Sequence, residues 1–140
     1  MEKSVDKGYF NFEIDPLQIS PLSLAYIGDA VYEVYIRSYI MKDCNMPVSK
    51  LHKAATRYVS ATAQSNIVKS ILNDFSPEEL SVYKRGRNAH SYTSAKNAGI
   101  VDYRMATGLE ALIGYLYIKN DKQRLKDIIE KCIDVINSED

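Results

Sequence analysis

The 140-residue sequence has no tryptophan, only two cysteines and no long apolar run. Cys44 and Cys132 lie far apart and belong to no Cys-x-x-Cys or Cys/His pattern, which excludes a disulfide framework and a structural zinc site. No apolar stretch approaches the roughly 18 residues of a membrane span, and the N-terminus lacks the apolar segment of a secretory signal. We therefore expect a cytoplasmic protein that does not enter a membrane.

The sequence also lacks net charge, because 18 Lys and Arg residues offset 18 Asp and Glu residues. Overall basicity therefore gives no argument for nucleic-acid binding, and any such surface must come from a local concentration of charge. The length and the 46% content of hydrophobic residues suit one domain with a core of its own. A chain of this size can bury roughly 68% of its unfolded surface without disulfide or metal support.

What is present is helical periodicity. Residues 1–15 show no sustained period and predict an N-terminal arm, and residues 16–140 predict a single domain. Ser20-Pro21 and Ser76-Pro77-Glu78-Glu79 have the cap and proline pattern of helix starts. No segment alternates with the period of a strand. The fold class is therefore all-α, with helices predicted over 22–41, 49–59, 61–75, 77–85, 101–119 and 121–136 and a surface loop over 86–99.

Gly28 and Asp29 interrupt an apolar helix, where both are costly. Glycine inside a helix costs about 1 kcal/mol relative to alanine, and a buried acid must be paired, hydrogen-bonded or bound to a cation. Gly28 could permit close helix packing while Asp29 pairs with a base, or Asp29 could belong to a functional site. Glu33 lies one turn further on and either supports such a site from outside or pairs with Arg37.

Glu110 repeats this pattern in a second apolar helix. Thr107-x-x-Glu110 also fits the capping-box pattern, so Glu110 could simply cap a helix. Alternatively, Asp29 and Glu110 could face each other across the core and bind a hard divalent cation through oxygen. Mg²⁺ suits such a pair, because it commonly uses one or two protein carboxylates.

A basic, polar run follows Lys84. Arginine and lysine together with asparagine, serine and tyrosine donors suit contacts to phosphate and sugar, and Gly86 would let the backbone approach a ligand closely. The alternative is an ordinary solvated face. The RNA-binding candidates are Lys84, Arg85, Arg87, Asn88, His90 and Lys96.

Four tyrosines, Tyr26, Tyr32, Tyr35 and Tyr39, lie along the first long helix. Such residues pack their rings in the core with hydrogen-bonded hydroxyls, or they contribute to a dimer interface. Packing is the prediction, with the interface as the alternative.

The segment LAYIGDAVYE, at residues 24–33, resembles the signature helix of the ribonuclease III catalytic domain, whose usual form is LEFLGDAVLE. EALIG, at residues 110–114, resembles the second acidic helix of that family. With the run RGRNAHS and the segment YRMATGLEALIGYLY, the chain from about residue 16 resembles the Mini-ribonuclease III group, which lacks a double-stranded-RNA-binding domain.

The resemblance implies an all-α, homodimeric endoribonuclease that cleaves double-stranded RNA and leaves a 5′-phosphate and a 3′-hydroxyl. It implies dependence on Mg²⁺, for which Mn²⁺ can substitute, with Asp29 and Glu110 as the metal-binding catalytic acids. The implied substrate is the stem that joins the ends of precursor 23S ribosomal RNA, and a ribosomal protein is a further implied partner. The loop from Arg85 to His90 would grip RNA in place of the missing domain.

The sequence also departs from full-length ribonuclease III. Ala25, Thr107 and Asn45 stand where those enzymes carry further acids. Fewer carboxylates imply weaker metal binding, although the Mini-ribonuclease III group shares this reduction. Two alternatives therefore stay open: a non-catalytic RNA-binding or ribosome-assembly protein on the same scaffold, and a helical adaptor whose acids form internal ion pairs.

Overall fold

The computed structural model describes residues 5–42, 45–89 and 99–139. Within these ranges the protein contains helices and no strands, which confirms the all-α prediction. None of its helices there combines the length and hydropathy needed to cross a bilayer. The six α-helices are α1 (Pro21–Ile40), α2 (Val48–Val59), α3 (Ala61–Ile71), α4 (Pro77–Asn88), α5 (Gly99–Lys119) and α6 (Lys122–Asn137).

The predicted helix starts are confirmed where a side chain caps the first turn. The Ser20 hydroxyl accepts a hydrogen bond from the Ser23 backbone N–H at 3.2 Å, and Pro21 opens α1. The Ser76–Glu79 capping box is complete: Glu79 N–H donates to Ser76 Oγ at 3.1 Å, and Ser76 N–H donates to Glu79 Oε1 at 2.8 Å. These local bonds satisfy backbone donors that the helix itself leaves free.

Two other helix ends differ from the prediction. Pro47 rather than Ser49 precedes α2, and it makes no side-chain cap hydrogen bond. Helix α3 ends at Ile71, short of the predicted end at residue 75. A short 3₁₀ turn, Leu72–Asp74, follows it, and Phe75 is then buried in the core. A second 3₁₀ turn, Pro16–Gln18, follows residues 5–15, which are exposed. The division into an arm and a domain stays a prediction.

The prediction of a loop from Gly86 was wrong for residues 86–88, because α4 continues to Asn88. Gly86 is buried against α5, and a Cβ there would lie 2.6 Å from Ala111 Cβ and 3.0 Å from Gly108 Cα. This close approach of α4 to α5 outweighs the low helix propensity of glycine. Gly86 therefore serves helix packing rather than the approach of a ligand to the backbone. Residues 90–98 lie outside the described part of the chain.

The central element is α5, which packs against α1, α3 and α4. Its crossing with α1 has no room for side chains: a Cβ on Gly28 would clash with the Glu110 carbonyl oxygen, and one on Gly114 with the Leu24 carbonyl oxygen. The two backbones therefore touch at this crossing. The expected packing role of Gly28 is confirmed, and it brings Asp29, the next residue, up to Glu110.

The tyrosines of α1 separate into two sets. The buried Tyr32 hydroxyl donates to the Tyr58 carbonyl oxygen at 2.9 Å, and the Tyr39 hydroxyl accepts from Asn137 Nδ2 at 2.9 Å. These two residues confirm the packing prediction. Tyr26 contradicts it, because 83% of its surface is exposed.

A cavity between the two acidic helices

A cavity of about 370 Å³ opens between α1, α5 and the junction of α2 with α3. Asp29 lines it from α1, and Glu110 lines it from α5. Asp29 is exposed at its mouth, whereas Glu110 is partly buried. The structure thus brings together the two acids that the sequence singled out. The other polar residues of the wall are Tyr26, Gln64, Tyr103 and Thr107.

The electrostatics of the cavity are those of two acids held close together. Burial, the negative charge of Asp29 and a hydrogen bond between the two carboxyl groups together raise the pKa of Glu110 to about 8. The charge of Glu33 acts on this pKa in the same direction, while a hydrogen bond from the Gln64 side chain opposes it. Two carboxylates that share one cavity repel each other, which disfavours ionisation of both groups at once.

Two simpler explanations of these acids fail. Thr107 lies well inside α5, where its hydroxyl donates to the Tyr103 carbonyl oxygen at 2.9 Å, so the capping-box interpretation of Glu110 was wrong. In the described ranges, no lysine or arginine forms an ion pair with Asp29 or Glu110. The structure therefore gives no support to the adaptor hypothesis, which needs internal ion pairs at these acids.

Glu33 has the partner that the sequence offered as an alternative. Arg37 Nε donates to Glu33 Oε2 at 2.9 Å on the surface of α1. Glu33 contributes to the negative potential at Glu110. Its carboxylate forms an ion pair with Arg37, and a supporting role at the acidic cavity stays a prediction.

The donor set fits a hard divalent cation. The carboxyl groups of Asp29 and Glu110 and the hydroxyl of Thr107 are its oxygen-bearing groups, and the Gln64 amide lies in the same wall. In residues 5–42, 45–89 and 99–139, no group of three or more His, Cys, Asp or Glu side chains is arranged for a metal. Two carboxylates suit Mg²⁺, because this ion usually binds one or two protein carboxylates and keeps several water ligands. Ala25 and Thr107 also line the cavity.

The basic candidates within the described residues lie on the last turns of α4. Lys84 and Asn88 are exposed. Arg87 Nε donates to Asn88 Oδ1 at 3.1 Å, and its guanidinium lies 5.7 Å from the Tyr83 ring centre. Arg85 Nη1 donates to the Leu17 carbonyl oxygen at 3.2 Å, so Arg85 ties the N-terminal segment to α4.

One residue of this part of α4, Gly86, approaches a residue of the cavity wall. Gly86 lies beside the Thr107 carbonyl oxygen, to which a Cβ on Gly86 would be 3.2 Å away. Thr107 is part of the cavity wall, but Lys84, Arg85 and Asn88 line a separate surface depression, together with Pro77, Leu80 and Ser81. His90 and Lys96 lie outside the described residues.

Sequence reasoning did not single out Gln64. It is 2% exposed and lies on the same face of α3 as Ile67, Val68 and Ile71. A polar residue on the apolar stripe of a short helix is the signal that could have found it.

Known proteins resemble this chain over most of its length. Residues 22–121 match the family model of the Ribonuclease III domain. A Mini-ribonuclease 3 of Clostridium tetani is 52% identical over 122 residues, which cover 86% of this chain and 81% of that protein. A Mini-ribonuclease 3 of Thermoanaerobacter is 46% identical over 140 residues, which cover 97% and 99%. A crystal structure of a Fusobacterium nucleatum protein superposes with a TM-score of 0.75 at 33% identity, covering 86% of this chain and 96% of that one.

Proposed function

The chain belongs to the ribonuclease III family, in its Mini-ribonuclease III group, and we propose that it cleaves double-stranded RNA at the cavity between α1 and α5. The family assignment makes it an endoribonuclease. One observation carries the choice of site: Asp29 and Glu110 share one cavity, Asp29 raises the pKa of Glu110, and neither acid has a cationic partner among the described residues. Two adjacent acids disfavour ionisation of both groups, and a bound cation would make the doubly ionised state favourable.

We propose Mg²⁺ as that ligand, held by Asp29 and Glu110. When bound, the cation supplies Lewis-acid chemistry that favours deprotonation of the attacking water and offsets the charge developing on the scissile phosphate. The two carboxyl groups must both be ionised to bind it. Because its pKa is about 8, Glu110 holds a proton at neutral pH in the free protein and releases it as the site fills.

The last turns of α4 carry side chains that are suited to contacts with RNA. Lys84, Arg87 and Asn88 offer donors for phosphate and sugar on the last turns of α4. Such contacts position a duplex without reading its sequence. From the family resemblance we propose the stem joining the ends of precursor 23S ribosomal RNA as the substrate, with a ribosomal protein as a further partner.

A homodimer is also proposed, with α1 as its contact face. Tyr26 and Val34 are 83% and 63% exposed on this helix, and a mostly apolar cavity of about 430 Å³ lies beside them, lined in part by Ile27 and Tyr117. Exposed apolar and aromatic patches of this kind are typical of protein interfaces. Because Tyr26 also lines the acidic cavity, each active site would lie next to the dimer contact.

The decisive experiment is cleavage of a duplex RNA carrying the precursor 23S end stem, with Mg²⁺ and with chelator. We expect discrete cuts from the unaltered protein with Mg²⁺ alone. Asp29→Asn and Glu110→Gln should each lower the rate by at least about 100-fold, because even outer partners of metal ligands cost 10–100-fold. Asp134→Asn, an exposed acid on α6, is the matched control and should cut normally.

The failures of this experiment are distinct. Full activity in Asp29→Asn would refute the assigned site. Retention of RNA without cuts at any Mg²⁺ or Mn²⁺ concentration would favour the non-catalytic RNA-binding alternative, and failure to bind the duplex at low salt would refute both.

The RNA contact has a test of its own. Lys84→Ala combined with Arg87→Ala should weaken duplex binding and lower the salt slope by about 2, or about 1 for each phosphate that the variant no longer neutralises. Arg85→Ala should change the salt slope less, because the Arg85 guanidinium already bonds the Leu17 carbonyl oxygen. An unchanged slope in the double variant would place the RNA elsewhere.

A further inference from the structure

Gln64 is the least expected member of the cavity wall. It lies in the first turns of α3, just after the chain leaves α2 at Val59 and turns at Ser60. The Ser60 hydroxyl caps the new helix by accepting from the Ala63 N–H at 3.2 Å. The Gln64 side chain is 2% exposed and faces the same cavity as Asp29 and Glu110.

The orientation of the Gln64 amide follows from its neighbours. Its Nε2 donates to the Val59 carbonyl oxygen at 3.2 Å. A carbonyl oxygen can only accept, so the nitrogen of the amide, and not its oxygen, must face Val59. The Gln64 side chain also lines the cavity beside Glu110 and lowers the pKa of the Glu110 carboxyl group. The amide therefore links the α2–α3 turn to the acid on α5.

The other atom of the amide has no such partner. Gln64 Oε1 is the buried side-chain atom left without a hydrogen bond in the part of the chain that the structure describes. Buried polar atoms in proteins are nearly always satisfied, so an orphaned one points to a partner that is absent from the isolated chain. An oxygen accepts, and the partner must therefore be a donor or a cation.

Resting on the proposed function, we propose that Gln64 is a positioning residue of the metal site. Its amide nitrogen holds the Glu110 carboxyl group against the α2–α3 turn. Its amide oxygen accepts a hydrogen bond from the water shell of the divalent cation. A neutral oxygen then supports the cation in a site that has two carboxylates, without adding a third negative charge beside Asp29 and Glu110.

The test measures cation binding independently of cleavage. Free Mn²⁺ is followed by electron paramagnetic resonance while the protein is titrated without RNA. Gln64→Met keeps the length of the side chain and removes both polar atoms. We expect its Mn²⁺ affinity to fall about tenfold or more, the usual effect of losing an outer partner in a metal site. Gln123→Met is the control, because Gln123 is exposed on α6 and bonds Asp127.

The outcomes separate this inference from the proposed function. If the unaltered protein binds Mn²⁺ and Gln64→Met binds it equally well, the inference is overturned and the proposed function stands. If the unaltered protein neither binds Mn²⁺ nor cuts RNA, the proposed function falls and the inference falls with it. A purely structural role would lower the thermal midpoint in chelator and leave Mn²⁺ affinity unchanged.

Gln64→Glu guards against misfolding of the first variant and separates the two atoms. It keeps an oxygen acceptor of the same length but loses the donor to Val59 and Glu110. We expect Mn²⁺ binding at least as tight as in the unaltered protein, together with a kcat lowered about tenfold or more at saturating Mn²⁺ and little change in KM. An unchanged kcat would overturn the role of the amide nitrogen.

Discussion

Glu79 on α4 and Glu110 on α5 are both largely shielded from solvent, but their neighbours act on them in opposite ways. Arg124 Nε donates to Glu79 Oε2 at 2.8 Å and Arg124 Nη2 donates to Glu79 Oε1 at 2.9 Å. Burial by itself raises the pKa of Glu79, but the hydrogen bonds and charge of Arg124 and the Ser76 N–H outweigh it and hold that pKa below its ordinary value. Glu110 faces Asp29 instead, and its pKa rises to about 8.

The surroundings of Glu79 and Glu110 indicate different roles for the two acids. Glu79 joins the start of α4 to α6, and a fork of two hydrogen bonds is a strong way to satisfy a shielded carboxylate. Glu110 lies beside the carboxyl group of Asp29, and ionisation of both groups at once is unfavourable. Groups held in this way are typical of functional sites, where a ligand supplies the missing charge. The same fold therefore contains one acid that stabilises it and one that we propose binds a ligand.

The largest effect is expected from breaking the satisfied pair. Arg124→Met keeps the bulk of the side chain but leaves Glu79 without its cation, and also removes the hydrogen bond to the Asp74 carbonyl oxygen. The free energy of unfolding at pH 7 should fall by about 2–3 kcal/mol, below the full cost of breaking a buried pair because Arg124 is partly exposed. Urea denaturation measures this change.

A matched control exists on the same helix. Lys126→Met removes an exposed pair with Glu130, and the loss should stay below about 0.5 kcal/mol. Equal losses of unfolding free energy in the two variants would show that the Glu79–Arg124 pair stabilises the protein no more than an exposed ion pair does.

The next effect has the opposite sign. At pH 7 the Glu110 carboxyl group must take up a proton when the protein folds, which costs free energy. Glu110→Gln removes this cost, so in chelator it should raise the free energy of unfolding at pH 7 by about 1–2 kcal/mol. The same substitution should abolish cleavage. A protein that is more stable and inactive would identify Glu110 as a functional acid, whereas a less stable protein would assign it a structural role.

The pH dependence of stability should separate the two acids. The folded pKa of Glu110, about 8, lies above the ordinary value of 4.5, so the folded state binds more protons between these values and loses stability as pH rises from about 4.5 to 8. The folded pKa of Glu79 is lowered, so its contribution is present above its ordinary pKa and is lost as pH falls through the lowered value.

Denaturant unfolding in chelator over this pH range checks both signs. The gain in stability from Glu110→Gln should grow as pH rises from about 4.5 to 8. A gain that is independent of pH would mean that Glu110 is ionised in the folded protein throughout this range.

The smallest effect is stabilisation by the cation. Millimolar Mg²⁺ at a few times its dissociation constant should raise the free energy of unfolding by about 1 kcal/mol, because a ligand that binds the folded state shifts the equilibrium by mass action. This gain should be absent in Asp29→Asn and retained in Arg124→Met. Thermal unfolding with and without Mg²⁺ measures it, and equal shifts in all three proteins would reflect a general salt effect.

Several features of the protein are local and could be read without a structure. The capping box at Ser76 and the proline start at Pro21 depend on residues within one helical turn, and both are confirmed. The close packing expected at Gly28 is confirmed as well, because a glycine inside a long apolar helix has few other uses. The predicted end of α4 was wrong, because the packing of Gly86 against α5 involves residues far along the chain.

The order of residues along the chain was enough to set the helical class, the two helices that carry Asp29 and Glu110, and the cap residues that start α1 and α4, because each depends on spacing and on bonds within a turn or two. The packed fold was needed to show that these acids meet in one cavity, that Gln64 joins them, and that Arg85 bonds the N-terminal segment. The physical reason is that the pKa and the hydrogen-bond partners of a side chain depend on burial and on atoms from distant segments. For Asp29 and Glu110, the distance between the two carboxyl groups follows from the backbone contact of α1 with α5 at Gly28 and Gly114.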